Sequence, residues 1–289
     1  MRKIKIGNKQ TKIGAIIQAR ISSTRLPGKI LKELPYGSGI TVLEQVIRRL
    51  KKSKRLNEII IATTEETEDN PIVNIAKKEE VKYFRGSKEN VLSRYYFAAK
   101  ENNIDLIVRI TSDCPCIDTA ITDLTIDDHI NKMADYTTNS LVRTYPHGLD
   151  VEVFNINILE KAYNNATKDY EKEHVTPYIN RNPQKFIVNI AKAPKELYAP
   201  DTRVTLDTEE DYALLCAVYD YLYSKNKYFN VYDIVNLFNK KPWLKLINKK
   251  IIQKKIFKTL REELEETKKI LNLQDLKRAR DFIGEYLSK

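Results

Sequence analysis

Between Arg20 and Lys29 the chain carries three cations and three hydroxyls and no acid: Arg20, Ser22, Ser23, Thr24, Arg25 and Lys29. Arginine offers forked donors to phosphate oxygens and lysine a point charge, so this composition asks for a polyanion, with a triphosphate the obvious candidate. The apolar run from Ile13 to Ile17 precedes the loop, through Ala19, and reads as a buried strand of a parallel sheet. Ligands of such sheets bind in the crevice beyond the carboxyl ends of the strands. Pro27 stiffens the loop, and Gly28 lets the backbone approach phosphates closely. The stretch matches neither G-x-x-x-x-G-K-[ST] nor G-x-G-x-x-G. A solvated basic loop is the plain alternative, but surface charge is normally interspersed with acids, and none occurs here before Glu33.

Two carboxylates belong with this loop. Asp113 follows an apolar strand in TSDCP, and Asp207 ends another in VTLDTEEDY. Taken singly, each is explained as a turn or helix-capping residue. Taken together with a triphosphate loop, two strand-end carboxylates could meet over one crevice as hard oxygen ligands for Mg²⁺.

Further polar groups follow. In Phe84 to Asn90, Arg85 ends a strand before Gly86, and Arg85 and Ser87 could contact a base or ribose; an ordinary turn explains them equally. Arg109 lies inside an apolar strand and must be paired there, either with the nucleotide or with a core acid. Arg143, His147, Asp150 and Glu152 alternate with apolar residues, which sets Asp150 and Glu152 on one strand face. That face either binds acceptor hydroxyls or meets solvent.

The elements positioning these groups alternate strand and helix: helix 41–54, strand 58–63, helix 70–80 opened by Pro71, strand 81–85, helix 88–102 and strand 105–111. Such alternation predicts a parallel sheet with right-handed crossovers. From Asp135 the pattern predicts mixed strands at 136–139, 149–154, 186–191 and 203–206, helices at 158–166 and 170–180, and a long helix at 208–225. The predicted fold is α/β, a Rossmann-like, mainly parallel mixed sheet with a C-terminal helical appendage. Its predicted parts are a basic N-terminal extension (1–12), one body (13–250) and a tail (251–289). In the tail Ile252, Ile256, Leu260 and Leu264 repeat every four residues, followed by Leu271, Leu276, Phe282 and Ile283. A helical hairpin breaking at 272–275 fits this spacing. Packing on the chain's own body is the favoured use of the stripe, and a homodimer the other.

The 289 residues carry a net charge of +11, but it is unevenly placed. Residues 240–289 hold +8 and the first twelve +5, leaving −2 for the remainder. The body is therefore near neutral, which argues against nucleic acid as a partner. No run approaches a membrane span and no signal peptide opens the chain, so a cytoplasmic protein is expected. Cys114, Cys116 and Cys216 form no C-x-x-C pair and have no histidine close by, so zinc is not expected.

The motif IIQARISSTRLPGK resembles the opening motif of the sugar-activating cytidylyltransferases, which include the CMP-Kdo and CMP-sialic acid synthetases, with the spore-coat-polysaccharide branch the closest match. The resemblance covers about residues 13–250. It implies the nucleotidyltransferase (GT-A) fold, a cytosine-reading role for the loop at Arg85 and Ser87, and Mg²⁺ on Asp113 and Asp207. Cys114 stands where many relatives carry Glu. Glu173-His174 matches the family's E-H helix near the acceptor. The reaction implied is transfer of CMP from CTP to an acidic sugar or related acceptor with release of pyrophosphate, Arg20, Arg25 and Lys29 taking up leaving-group charge. Three other readings are a nucleotidyltransferase with a non-sugar acceptor, a nucleotide-sugar-dependent glycosyltransferase, and a non-enzymatic nucleic-acid binder.

Overall fold

Where the chain reverses direction across a sheet it leaves a crevice, and this sheet reverses once beside its first long strand. The computed structural model describes residues 5–6, 9–251 and 259–288. The chain divides into two units, 1–251 and 252–289. In the first, β1 (Lys5–Ile6) and β2 (Lys9–Gln10) form a small antiparallel ladder. The main sheet holds β3 (Ile13–Gln18), β4 (Glu58–Thr64), β5 (Lys82–Gly86), β6 (Leu106–Thr111), β7 (Tyr136–Thr138), β8 (Glu152–Asn155) and β9 (Val188–Ile190). Their order is β5-β4-β3-β6-β8-β7-β9. β3 to β6 are mutually parallel, β8 is antiparallel to both β6 and β7, and β9 is parallel to β7. The chain steps outward from β3 through β4 to β5, then returns to β6 on the opposite side of β3. This is the mixed, mainly parallel sheet expected from the sequence, and its switch point opens beyond Gln18 and Thr111.

Strand alternation fixes the two layers. Ile13, Ala15 and Ile17 of β3, with Leu106, Val108 and Ile110 of β6, face one core, packed by α1 (Val42–Leu50), α2 (Asn70–Lys78), α4 (Thr119–Asn131), α8 (Glu209–Leu222) and α9 (Val231–Lys240). Ile16, Ile60 and Ile107 face the other, packed by α3 (Val91–Glu101), α5 (Ile156–Asn165) and α7 (Pro177–Asn180), with α6 (Asp169–His174) lying against α3. Burial on both faces explains why β3, β4 and β6 read as continuous apolar runs. Local signals set the helix starts. Thr41 and Glu44 form a capping box on α1, Thr208 caps α8, and Asn230 and Asp233 box α9.

The structure departs from the sequence expectations in four places. The single helix expected over 170–180 is two, α6 and α7, broken where Val175 takes φ 71° and Pro177 opens the next turn. The strand expected at 203–206 joins no sheet and makes one parallel bridge, His147 with Arg203. The helix α4 was not anticipated, because Thr122, Thr125 and His129 share its buried face and blur the apolar period. α9 and the short α10 (Leu244–Ile247) were also not anticipated.

In the second unit, α11 (Leu260–Leu273) and α12 (Lys277–Leu287) are joined across Asp275, whose φ is 57°. Ile252 and Ile256 of the expected stripe lie outside the described residues. Among the described residues no helix is long and apolar enough to cross a membrane.

Candidate active site

The loop after β3 is pinned at both ends. Ala19 N donates to Ala62 O at 3.1 Å, and Ile21 N donates to Asp69 Oδ1 at 2.7 Å. Asp69 is buried, and Thr64 Oγ1 donates to its other oxygen. Leu26 plugs the loop into the core. Gly28 sits at φ 67°, ψ 13°, a left-handed turn that suits glycine, and it starts the 3-10 turn Lys29–Leu31. Arg20, Thr24 and Arg25 are exposed, while Ser22 and Ser23 are half-buried. The turn at Gly28 sends Lys29 inward.

Lys29 is the hub. Its Nζ donates to Asp113 Oδ2 at 2.7 Å, to Asp207 Oδ1 at 2.9 Å and to Leu206 O at 2.8 Å. Arg25 Nη2 lies 2.9 Å from the same Asp207 oxygen. Burial alone would raise the Asp113 carboxyl, but the Lys29 charge outweighs it and holds the group below the ordinary carboxylate range. Asp207 is likewise carried down against burial, to about 2, by Lys29, Arg203 and Arg25. The two carboxylates in turn raise Lys29 despite its burial. All three groups are charged at neutral pH.

A close backbone approach brings Asp207 to this point. His147 N donates to Thr202 O at 2.8 Å, Val204 N to His147 O at 2.7 Å, and Leu206 N to Asp113 O at 2.9 Å. The segment 202–206 thus runs between the loops bearing His147 and Asp113. Gly148, at φ 107°, makes that contact possible: a Cβ there would lie 2.6 Å from the Val204 carbonyl carbon.

Arg203, which the sequence reading passed over, ties the site together. Its Nη2 donates to Asp207 Oδ2 at 2.8 Å and to Asp211 Oδ2 at 2.8 Å, and its Nε to Asp211 Oδ1 at 2.9 Å. Its Nη1 lies 3.0 Å from His147 Nδ1. A guanidinium can only donate, so Nδ1 accepts and the His147 proton sits on Nε2, 3.6 Å from Asp150 Oδ2. Burial lowers the His147 pKa, with Arg143 and Arg203 adding to the effect against Asp150. Arg143 clamps Asp150 through two bonds of 2.8 and 3.2 Å. Arg143, His147 and Asp150 therefore adjoin the Lys29 centre as one connected cluster.

Other expected residues lie apart from it. Arg109 pairs with Glu152, and its Nη2 donates to Gln18 Oε1 at 3.0 Å. The second Glu152 oxygen accepts from Tyr136 and Thr176, each at 2.7 Å. Arg109 thus has a core acid as its partner. Glu152 does not share an open face with Asp150: it is buried in this ion pair, and Asp150 precedes β8. Arg85 donates to Thr64 O at 2.8 Å, Asn70 Oδ1 at 2.8 Å and Glu66 O at 2.7 Å, so its fork is filled by the loop after β4. Ser87 Oγ accepts from Asn90 N at 3.1 Å. Glu173 and His174 lie 4.0 Å apart on α6.

Arg94, also missed by the sequence reading, is buried in α3 and donates to Ser87 O at 2.8 Å and Lys88 O at 3.3 Å. It holds the loop after β5 from below. Only its apolar neighbours in VLSRYYFAA could have flagged it as a buried charge.

Among the described residues no three His, Cys, Asp or Glu side chains gather as a ready metal site. Asp113 and Asp207 nonetheless suit a hard cation, since their oxygens already converge on a single positive charge. Cys114 is buried, and burial with the Asp113 and Asp150 charges pushes its thiol well up, so it stays protonated and is no ligand there.

Residues 14–234 match the family model for cytidylyltransferases. An uncharacterised protein of Methanocaldococcus jannaschii is 39% identical over 243 residues, 84% of this chain and 97% of that one. The spore coat polysaccharide biosynthesis protein SpsF of Bacillus subtilis is 34% identical over 232 residues, 78% of this chain and 94% of its own length. The structure of a cytidylyltransferase from Leptospira borgpetersenii superposes with a TM-score of 0.75 at 39% identity, covering 86% of this chain and all of that one. With the switch-point crevice and its basic loop already in place, this chain belongs to the cytidylyltransferase family and is a nucleotidyltransferase enzyme.

Proposed function

We propose that this enzyme transfers CMP from CTP to a hydroxyl of an acidic sugar or related acceptor, releasing pyrophosphate, as a cytoplasmic step in surface polysaccharide or glycan synthesis. The observation that carries the proposal is the meeting of Lys29 with Asp113 and Asp207 beside Arg25, at the carboxyl ends of β3 and β6. An acceptor oxygen attacks the α-phosphorus, the bond to the β-phosphate oxygen breaks, and the acceptor proton is released. Charge then builds on pyrophosphate, where Arg20, Arg25 and Lys29 stabilise it. Ser22, Ser23 and Thr24 in the same loop would supply hydroxyls, while Ala19 and Gly28 spend their amides holding the loop's shape, on Ala62 O and Ile21 O. Asp113 and Asp207 would hold Mg²⁺, which when bound neutralises triphosphate charge and lowers the pKa of an oxygen it coordinates.

The acceptor would lie over Arg143, His147 and Asp150. His147 is not the base, because Nδ1 is occupied by Arg203 and Nε2 carries the proton. It can donate to an acceptor oxygen, with Asp150 and Arg143 setting its orientation. Arg109 and Glu152 form a separate buried pair with Gln18, Tyr136 and Thr176, and Glu173 and His174 stand on the helix before Thr176.

The test is pyrophosphate release with each of the four NTPs, Mg²⁺, and a panel of acidic sugars and phosphorylated alcohols. The expected result is release with CTP alone, dependent on an acidic sugar. Release with a phosphorylated alcohol only would overturn the acceptor class, and equal use of all four NTPs would overturn the cytosine preference.

A further inference from the structure

Arg49 is a buried charge that the Lys29 centre does not use. It lies near the end of α1 and is only 3% exposed. Its neighbours Arg48 and Lys51 pair with Glu79, whereas Arg49 forms no ion pair among the described residues. One side of its guanidinium is spent: Nη1 donates to Phe229 O at 2.8 Å and to Ile117 O at 3.4 Å, and Cζ lies 4.1 Å from the centroid of the Phe229 ring. The other edge, Nε and Nη2, is buried with no hydrogen-bond partner. That edge is a fork suited to an anion, and a buried cation without a counter-charge is costly.

The side chains nearby do not supply the missing charge. Cys116 and Tyr219, on which the Arg49 charge acts, stay protonated: burial pushes the Cys116 thiol up to about 12 and raises the Tyr219 hydroxyl as well. Tyr219 spends its proton on Pro115 O at 2.7 Å. Asp118 is the acid at hand, and backbone amides take both its oxygens. Oδ1 accepts from Ala120 N at 2.7 Å and Ile121 N at 3.2 Å, and Oδ2 from Val231 N at 2.7 Å.

Beside Arg49 lies a cavity of about 30 Å³, between Thr119 at the start of α4 and Asn230 at the start of α9. Both helix starts are positive ends of a peptide dipole. Phe229 walls the cavity, and exposed Lys52 also borders it, its Nζ 4.8 Å over the Tyr228 ring. Arg49 and Lys52 against Asp118 leave a net +1 around the space, and none of these residues belongs to the Lys29 centre. The space holds one particle about the size of a water and excludes phosphate or an organic acid.

We propose that this cavity binds a single chloride ion, held by the Nε and Nη2 fork of Arg49. The ion balances the +1 and ties α1 to the starts of α4 and α9, beside the turn whose Ile117 carbonyl Arg49 already holds. Binding to the folded chain alone then stabilises it.

The test uses the full chain. Crystals of wild type grown in sodium bromide are expected to show an anomalous peak within hydrogen-bond reach of Arg49 Nε and Nη2. In solution, sodium chloride is compared with sodium gluconate, too bulky for the cavity, at one ionic strength. The chloride-minus-gluconate difference in melting temperature is expected to be larger in wild type than in Arg49→Met by about 2–4 °C, with chloride at about five times its dissociation constant. Because Arg49→Met could fail to fold, the wild-type bromide map is decisive by itself. A water alone at the fork overturns the proposal, and so does a chloride response that is equal in wild type and Arg49→Met.

Discussion

Asp113 and Asp207, from distant parts of the chain, share one ammonium: Lys29 Nζ lies 2.7 Å from the first and 2.9 Å from the second. Two carboxylates held this close repel unless a cation stands between them. Lys29 is that cation here. Replacing it has a double effect. Lys29→Ala should cut turnover by about 10²-fold or more and also lower the melting temperature, since breaking a largely buried pair typically costs about 3 kcal/mol. Steady-state rates and thermal melts on the same samples check both arms.

Arg25 is the milder case. Its side chain is 38% exposed and, among the described residues, pairs with Asp207 alone of the carboxylates. Arg25→Ala should leave stability nearly unchanged, and CTP affinity changed by less than about tenfold. Turnover should fall about 10²-fold, because leaving-group charge peaks in the transition state. Separate kcat and KM values for CTP decide it.

Arg203 acts through Asp207 and His147 and is a positioning residue. Arg203→Lys keeps the charge but cannot reach Asp207, Asp211 and His147 together. The expected result is a fall of about tenfold in kcat, on the scale of misaligned catalytic groups. His147, freed at Nδ1, should also show a higher pKa by NMR titration, which a purely structural role would not produce.

Arg94 should separate nucleotide binding from chemistry. Arg94→Met removes the bonds to Ser87 O and Lys88 O and leaves the body of α3 in place. Amide exchange should rise across residues 86–90, with KM for CTP raised about tenfold, roughly one charged hydrogen bond, and kcat little changed.

Acid should loosen the site in a defined window. The Asp207 carboxyl lies at about 2, against roughly 3.9 in an unfolded chain. The unfolded state therefore takes up the proton first as pH falls, and the stability this pair contributes is complete above about pH 4 and lost through about pH 2. The contribution is about 2 to 3 kcal/mol. Urea unfolding between pH 5 and pH 2 should show a smaller acid loss in Asp207→Asn than in wild type.

The parallel half of the fold was legible because β3, β4 and β6 are buried on both faces and read as unbroken apolar runs. The phosphate-type loop was legible because its cations stand together without an acid. The rest depended on tertiary geometry. Arg203 reads as an ordinary charge in TRVTLD, and only its bridge to His147, which Gly148 permits, joins it to the rest of the site. Asp150 and Glu152 alternate as strand neighbours should, yet Arg143 claims one and Arg109 the other. α4 was hidden because threonines do the work of apolar residues on its buried face.

The central claim is that Asp113 and Asp207 form the catalytic centre with Lys29 and are not merely turn and cap residues. The direct measurement is CTP turnover by Asp113→Asn and Asp207→Asn beside their unfolding transitions, since asparagine keeps the turn chemistry and removes the charge. The account predicts at least about 10²-fold loss of turnover in each, with the cooperative fold retained. Near wild-type turnover in either variant, with loss of thermal stability alone, would contradict it.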